Sequence, residues 1–169
     1  LKTSGSKMEL FISKEAEKKG KYLLKDYEVA GNRKVVGINP GAAFGPAKQW
    51  LSERYAELSE LLQKEYNATI ILFGSNQDAN VCTTISSMMK DNPLDLSGKT
   101  SLAEAFALIK ICDLFITNDS GLMHAAAAMD VPLIAIFGST NDTTTGPLGE
   151  KSKIVRAEVD CSPCLKPEC

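Results

Sequence analysis

The sequence predicts a doubly wound, Rossmann-like α/β domain: a parallel sheet with helices on both faces. Three observations lead there. Short, continuous apolar runs recur along the chain and alternate with longer stretches of helical periodicity. The runs are apolar at successive positions rather than at every second one. That pattern marks strands buried on both faces, as in a parallel sheet covered by helices. Finally, the segments after the runs are rich in Gly, Ser, Thr, Asn and Asp, whereas the opposite strand ends are not. Folds of this class bind ligands beyond the carboxyl ends of their strands.

Taken in order, Ser13 caps a charged helix through Glu15–Lys25. Lys34–Asn39 (KVVGIN) is a strand stopped by Pro40-Gly41. Ser52–Glu65 carries Tyr55, Leu58, Leu61 and Leu62 at helical spacing. Thr69–Phe73 (TIILF) is a second strand, followed by Gly74-Ser75 and a helix over Asp78–Lys90. Leu94–Leu96 is a short third strand. Ser101 and Glu104 form a capping box opening a helix to Ile111. Asp113–Thr117 is a strand, Gly121–Met129 a small-residue helix, Pro132–Phe137 a strand and Lys153–Ala157 a last strand.

The chain has 169 residues, the size of one ordinary domain, and can bury a core without staples. Its net charge of −2 argues against general nucleic-acid binding, which needs a basic surface. No apolar run approaches the ~18 residues that cross a bilayer. Leu1–Lys7 lacks the apolar stretch of a signal peptide, and the start without Met suggests a fragment. Cys82 and Cys112 lie in apolar stretches and read as buried thiols, and the absence of a disulfide framework favours a reducing cytoplasm. Cys161, Cys164 and Cys169 have the spacing of a zinc knuckle or redox pair but lack a fourth ligand, so free thiols or a disulfide are favoured over metal.

Four post-strand segments carry candidate chemistry. Asn118–His124 (NDSGLMH) follows a strand and opens a helix, whose free N–H groups and dipole attract an anion. Gly121 admits a phosphate close to the backbone, Ser120 supplies a hydroxyl, and His124, the single histidine, lies one turn beyond Ser120. The competing reading, an N-cap and a packed helix residue, has equal standing on this segment alone. Pro40–Trp50 (PGAAFGPAKQW) is an irregular loop ending in Lys48, a point charge suited to a diphosphate, or simply a solvated lysine. Asp78, after the second strand, is placed either to bind ribose hydroxyls or to cap a helix. Gly138-Ser139-Thr140 and Thr143–Pro147 offer hydroxyls for phosphate or sugar, or form a turn. Gly98-Lys99-Thr100 is not a P-loop, because the position that needs glycine is Pro93. Gly41 and Gly45 do not make a dinucleotide fingerprint, and Asn-x-Ser/Thr at Asn67, Asn118 and Asn141 matters only in a secreted protein.

Together, GINPGAAFGPAKQW (37–50), DLSGKTSLAEAFALI (95–109), TNDSGLMHAAAA (117–128), IAIFGSTNDTTTGPLG (134–149) and CSPCLKPEC (161–169) resemble the ADP-heptose:lipopolysaccharide heptosyltransferase family, most of all its heptosyltransferase II group. The resemblance spans most of 35–169 and implies one half of a GT-B glycosyltransferase. It divides the chain into a lead-in segment and helix (1–30) and a C-terminal Rossmann-like nucleotide-sugar-binding domain (31–169), without the N-terminal acceptor domain. It implies Lys48 on the donor phosphates, Asp119 on the heptose, Ser120 and Gly121 at the diphosphate-binding helix start, His124 in the same signature and Asp78 on the adenosine ribose. It further implies inverting, metal-independent transfer of heptose from ADP-heptose to the lipopolysaccharide inner core, with no cofactor. The general base is expected in the absent domain, so this chain alone is expected to bind nucleotide without transfer. The full enzyme is expected in the cytoplasm, as a peripheral protein at the inner face of the bacterial inner membrane. Pro167 and Leu51 depart from the family pattern, where arginine and proline are common. A related transferase using another nucleotide sugar, or a nucleotide-binding module without catalysis, remains the alternative.

Overall fold

The computed structural model describes residues 8–27, 29 and 33–169. The boundary expected at 30/31 and the segment Leu1–Lys7 lie outside the described residues. The elements run α1 (Lys14–Asp26), β1 (Lys34–Asn39), α2 (Ser52–Tyr66), β2 (Ala68–Leu72), α3 (Ala79–Met88), β3 (Leu94–Asp95), α4 (Leu102–Lys110), β4 (Leu114–Asn118), α5 (Gly121–Ala128), β5 (Leu133–Phe137), α6 (Asp142–Thr145) and β6 (Ser152–Arg156).

All six strands pair in parallel in the order β3-β2-β1-β4-β5-β6. The chain winds outward from β1 to β3, then returns to the centre and winds the other way from β4 to β6. The direction reverses between β1 and β4, which pair from Val36↔Leu114 to Asn39↔Thr117. At such a switch point the two following loops leave on opposite faces and open a crevice between them.

Each face has its own half-core. On one, α2 and α3 bury Tyr55, Ala56, Cys82 and Ile85 against Val36, Ile38, Ile70, Leu72 and Ile116. On the other, α4 and α5 bury Leu108, Ile109, Met123 and Ala126 against Val35, Ile71, Phe73, Phe115 and Leu133. Phe73 and Phe115 meet edge to face at 5.6 Å there. Burial of this kind contributes about 25 cal/mol per Å² of apolar surface, the main favourable term in folding. It also pushes the Cys82 and Cys112 thiols up to about 12, so both stay protonated and inert.

The capping predicted for α1 and α4 is present. Ser13 Oγ accepts from the Ala16 N–H, and Ser101 and Glu104 complete a reciprocal capping box. The α1 helix sits on α4, where a Cβ on Gly20 would lie 3.1 Å from Ala107. Leu10, Ile12, Leu23, Leu24 and Val29 add to that half-core, and the Leu10 N–H donates to the Ala128 carbonyl at 2.9 Å. Among the described residues no helix is long and apolar enough to cross a membrane.

Three short helical turns were not expected, one of them a 3₁₀ turn at Asn76–Asp78. Pro46–Lys48 forms a 3₁₀ turn, with proline at its first position supplying the right φ and no surplus N–H. Asp142–Thr145 forms a single helical turn, because Asn141 Oδ1 caps the Thr143 N–H at 3.0 Å.

Candidate functional site

The crevice at the switch point is built on two buried asparagines that end the central strands. Asn39 closes β1 and donates from Nδ2 to Thr117 Oγ1 (3.1 Å) and Ser120 Oγ (3.0 Å). Asn118 closes β4 and is fully buried. Its Nδ2 donates to the Pro40 carbonyl (2.6 Å), and its Oδ1 accepts from the Trp50 N–H (3.1 Å) and the Tyr55 hydroxyl (2.9 Å). Burial pushes the Tyr55 phenol up, which keeps it a donor. Asn118 therefore fastens both ends of the 40–50 loop to the body. Trp50 packs on Tyr55 at 5.0 Å, edge to face.

Lys48 rides on that loop, and it is no solvated lysine. Its Nζ sits 2.7 Å from Asp119 Oδ2, with the side chains only 14% and 7% exposed. The ammonium also lies 5.7 Å above the Phe44 ring. Asp119 Oδ2 accepts from Thr140 Oγ1 at 2.7 Å and is reached by Thr145 Oγ1 at 3.5 Å. Three loops, those after β1, β4 and β5, thus meet at one carboxylate oxygen. A pair this buried is costly to desolvate, and removing either partner alone would strand the other's charge.

Ser120, not Asp119, is the N-cap of α5, its Oγ accepting from the Met123 N–H at 3.4 Å. Gly121 opens the helix beside it. A Cβ there would meet nothing within 4 Å, so no neighbour inside the chain requires glycine. His124 lies one turn on, half-buried, and makes no hydrogen bond or ion pair among the described residues.

Asp78 stands on the β2 side. Its Oδ2 accepts from the Ser75 N–H (2.8 Å) and hydroxyl (2.7 Å), closing a capping box. Its other oxygen presses on the β1 loop, 2.1 Å from where a Gly41 Cβ would be. The structure thus employs Asp78 as a cap and gathers it with the β1 loop, apart from the Lys48–Asp119 pair.

A segment that sequence reasoning treated only as a cysteine cluster straps the site. Pro167 accepts from the Ala47 N–H (3.1 Å), and the Leu165 N–H donates to the Ser139 carbonyl (2.8 Å). Ser162 Oγ donates to the Gly138 carbonyl (2.9 Å) and accepts from Arg156 (3.1 Å), which also pairs with Asp142. Gly45, at φ +143°, lets Pro167 approach: a Cβ would fall 2.4 Å from its carbonyl. Cys161, Cys164 and Cys169 are free thiols here, and among the described residues no three potential ligands gather at a metal-sized site. Asn39 and Tyr55 were not singled out as site-builders, and the roles of Asn118 and Thr140 inside their candidate segments were not foreseen. The available signal was polar Asn at the ends of otherwise apolar strands.

A parallel sheet of this order with a polar, helix-capped crevice at its switch point is the architecture of one Rossmann-like half of a GT-B glycosyltransferase. It overlays the E. coli ADP-heptose LPS heptosyltransferase II structure with a TM-score of 0.81 and 35% identity, covering 89% of this chain and 45% of that one. For the glycosyltransferase family 9 protein of Veillonella parvula DSM 2008 the TM-score is 0.84 and the identity 26%, over 91% of this chain and 44% of that one. Residues 2–169 match glycosyltransferase family 9 (heptosyltransferase), and the chain belongs to that family. It is 43% identical over 136 residues to lipooligosaccharide heptosyltransferase 2 of Haemophilus influenzae, covering 78% of this chain and 39% of that protein. Lipopolysaccharide heptosyltransferase 2 of E. coli K12 is 37% identical over 140 residues, covering 80% and 40%. The chain spans about two fifths of the length of the curated relatives it matches.

Proposed function

We infer that residues 31–169 form the donor-binding half of a heptosyltransferase that moves heptose from ADP-heptose to the lipopolysaccharide inner core, with residues 1–30 as lead-in. The observation that carries this is the buried Lys48–Asp119 pair beside the open N-terminus of α5, at the carboxyl ends of β1, β4 and β5. A diphosphate seated at α5 meets free N–H groups and the positive end of the dipole. Gly121, facing open space, leaves room for phosphate oxygens against the backbone. Lys48 adds a cation, and its exchange from Asp119 to a diphosphate releases the carboxylate edge toward a sugar hydroxyl. Kinship with an ADP-heptose-using enzyme of E. coli supports the donor identity.

In this reading transfer inverts the anomeric centre by direct displacement and needs no metal. Negative charge grows on the departing ADP, and Lys48 with the Ser120–Gly121 N–H groups stabilises it as it forms. The acceptor hydroxyl is deprotonated by a general base on the other domain. In this reading residues 31–169 bind the donor, transfer requires both domains, and the whole enzyme works as a peripheral protein at the cytoplasmic face of the inner membrane. Asp78 serves as a second-sphere support for the Gly41 turn and as an adenosine-ribose contact, and His124 borders the diphosphate.

Calorimetric titration with ADP, UDP and GDP tests it. ADP is expected to bind best, with Lys48→Ala weakening it by roughly tenfold or more, the worth of a hydrogen bond between charged groups. Asp119→Ala is expected to weaken ADP-heptose more than ADP. Preference for UDP or GDP would point to another nucleotide sugar, and ADP binding indifferent to Lys48 would end the phosphate assignment.

A further inference from the structure

We propose that Thr140 is a positioning residue for the donor sugar: its hydroxyl holds one oxygen of the Asp119 carboxylate and so turns the other toward the sugar. The proposal rests on the donor-site reading above and adds to it a residue and a specificity.

The contacts at Asp119 are one-sided. Lys48 Nζ (2.7 Å), Thr140 Oγ1 (2.7 Å) and Thr145 Oγ1 (3.5 Å) all meet Oδ2, and among the described residues no hydrogen bond reaches Oδ1. The Asp119 side chain keeps 7% of its surface exposed. A carboxylate turns easily about its terminal torsion, whose wells are broad. Whatever fixes that torsion decides where Oδ1 points.

Lys48 is poorly suited to fix it, being a point charge on a flexible stem. Thr140 is suited. Its side chain is stiff at χ1, and the residue is 8% exposed. The backbone just before it is held at two residues: the Ser139 N–H donates to the Ala47 carbonyl, the Leu165 N–H donates to the Ser139 carbonyl, and the Ser162 hydroxyl donates to the Gly138 carbonyl. The single hydroxyl proton of Thr140 goes to Asp119 Oδ2. When a diphosphate draws Lys48 away, Thr140 retains the shortest remaining contact with Asp119. Its importance is therefore greatest in the complex.

The test compares ADP with ADP-heptose on the parent protein, Thr140→Val and Thr140→Ser, with urea melts as a folding control. Valine keeps the shape and removes the hydroxyl. Thr140→Val is expected to bind ADP within about twofold of the parent and to lose about tenfold of the extra affinity for ADP-heptose, the size of one charged hydrogen bond. Thr140→Ser is expected to restore that extra affinity. Thr140→Ala gives the same reading should the valine variant fail to fold. A parallel loss for both ligands, an unchanged preference, or failure of serine to rescue would each overturn the proposal. A parent that binds neither ligand would overturn the donor-site reading and this proposal with it, a result distinct from the others.

Discussion

Replacing Asn118 by alanine should be among the most damaging single changes in the chain, for reasons that can be counted. The substitution removes three hydrogen bonds at once, to the Pro40 carbonyl, the Trp50 N–H and the Tyr55 hydroxyl. Tyr55 is 0% exposed and Pro40 is buried, so water cannot replace the lost partner at either. Leaving each of those two groups unsatisfied costs about 1–3 kcal/mol, while the Trp50 N–H, on a half-buried residue, costs less. Those two groups together amount to about 2–6 kcal/mol, a large part of the ~5–15 kcal/mol that holds a domain folded. Tyr55→Phe is the informative companion. It removes one donor and leaves Asn118 Oδ1 with Trp50, so about 0.5–1.5 kcal/mol is expected. Urea denaturation of the two single variants and the double variant closes the cycle. Asn118→Ala should cost at least about 1 kcal/mol less when Tyr55 is already Phe, because no buried hydroxyl is then orphaned. A cost within about 1 kcal/mol of zero for Asn118→Ala, or strict additivity, would refute the account of Asn118 as the clasp of the 40–50 loop.

Other expectations concern single groups. Gly121→Ala should leave stability within about 1 kcal/mol of the parent, since the added Cβ meets open space, yet weaken ADP by roughly tenfold if phosphate packs there; an unchanged affinity in titration would remove Gly121 from the site. Glu104 is held down to about 2 by Lys19 and by the Ser101 N–H and hydroxyl. Its folded value lies below its unfolded one, so its contribution is complete above pH ~4.5 and fades as pH falls toward 2. Glu104→Gln should flatten the dependence of urea midpoints across that window, and an unaltered slope would contradict the assignment. With Cys82 and Cys112 buried and shifted up to about 12, a thiol reagent at pH 8 should label Cys161, Cys164 and Cys169 quickly and the other two only on unfolding; fast labelling of all five would show the half-cores to be open.

Much of the fold can be read from local sequence, because its determinants are local. The apolar run KVVGIN is β1 residue for residue, and the Ser101–Glu104 capping box closes as its spacing requires. The reversal of winding between β1 and β4 is not local, and only the pairing of strands reveals it. The same division holds at the site. A helix opened by Ser120-Gly121 is legible from residue types, whereas the identity of Lys48's partner is not, since Asp119 lies on another loop. Thr140 reads as a spare hydroxyl until its acceptor is known. Asp78 had two readings of equal standing, and the capping contacts to Ser75 are the geometry that follows from Ser-x-x-Asp. The strap over 162–167 was hidden because the bonds at Leu165 and Pro167 run from backbone to backbone and the Ser162 hydroxyl meets a carbonyl far away in sequence.

That strap ties the last stretch of the chain to the heart of the crevice. Ala47 and Ser139, each one residue away from Lys48 and Thr140, are gripped by Pro167 and Leu165. A displacement of the C-terminal residues is therefore transmitted to both loops together, and the gap between Lys48 and Asp119 becomes a gauge of the tension in a segment that never touches either of them.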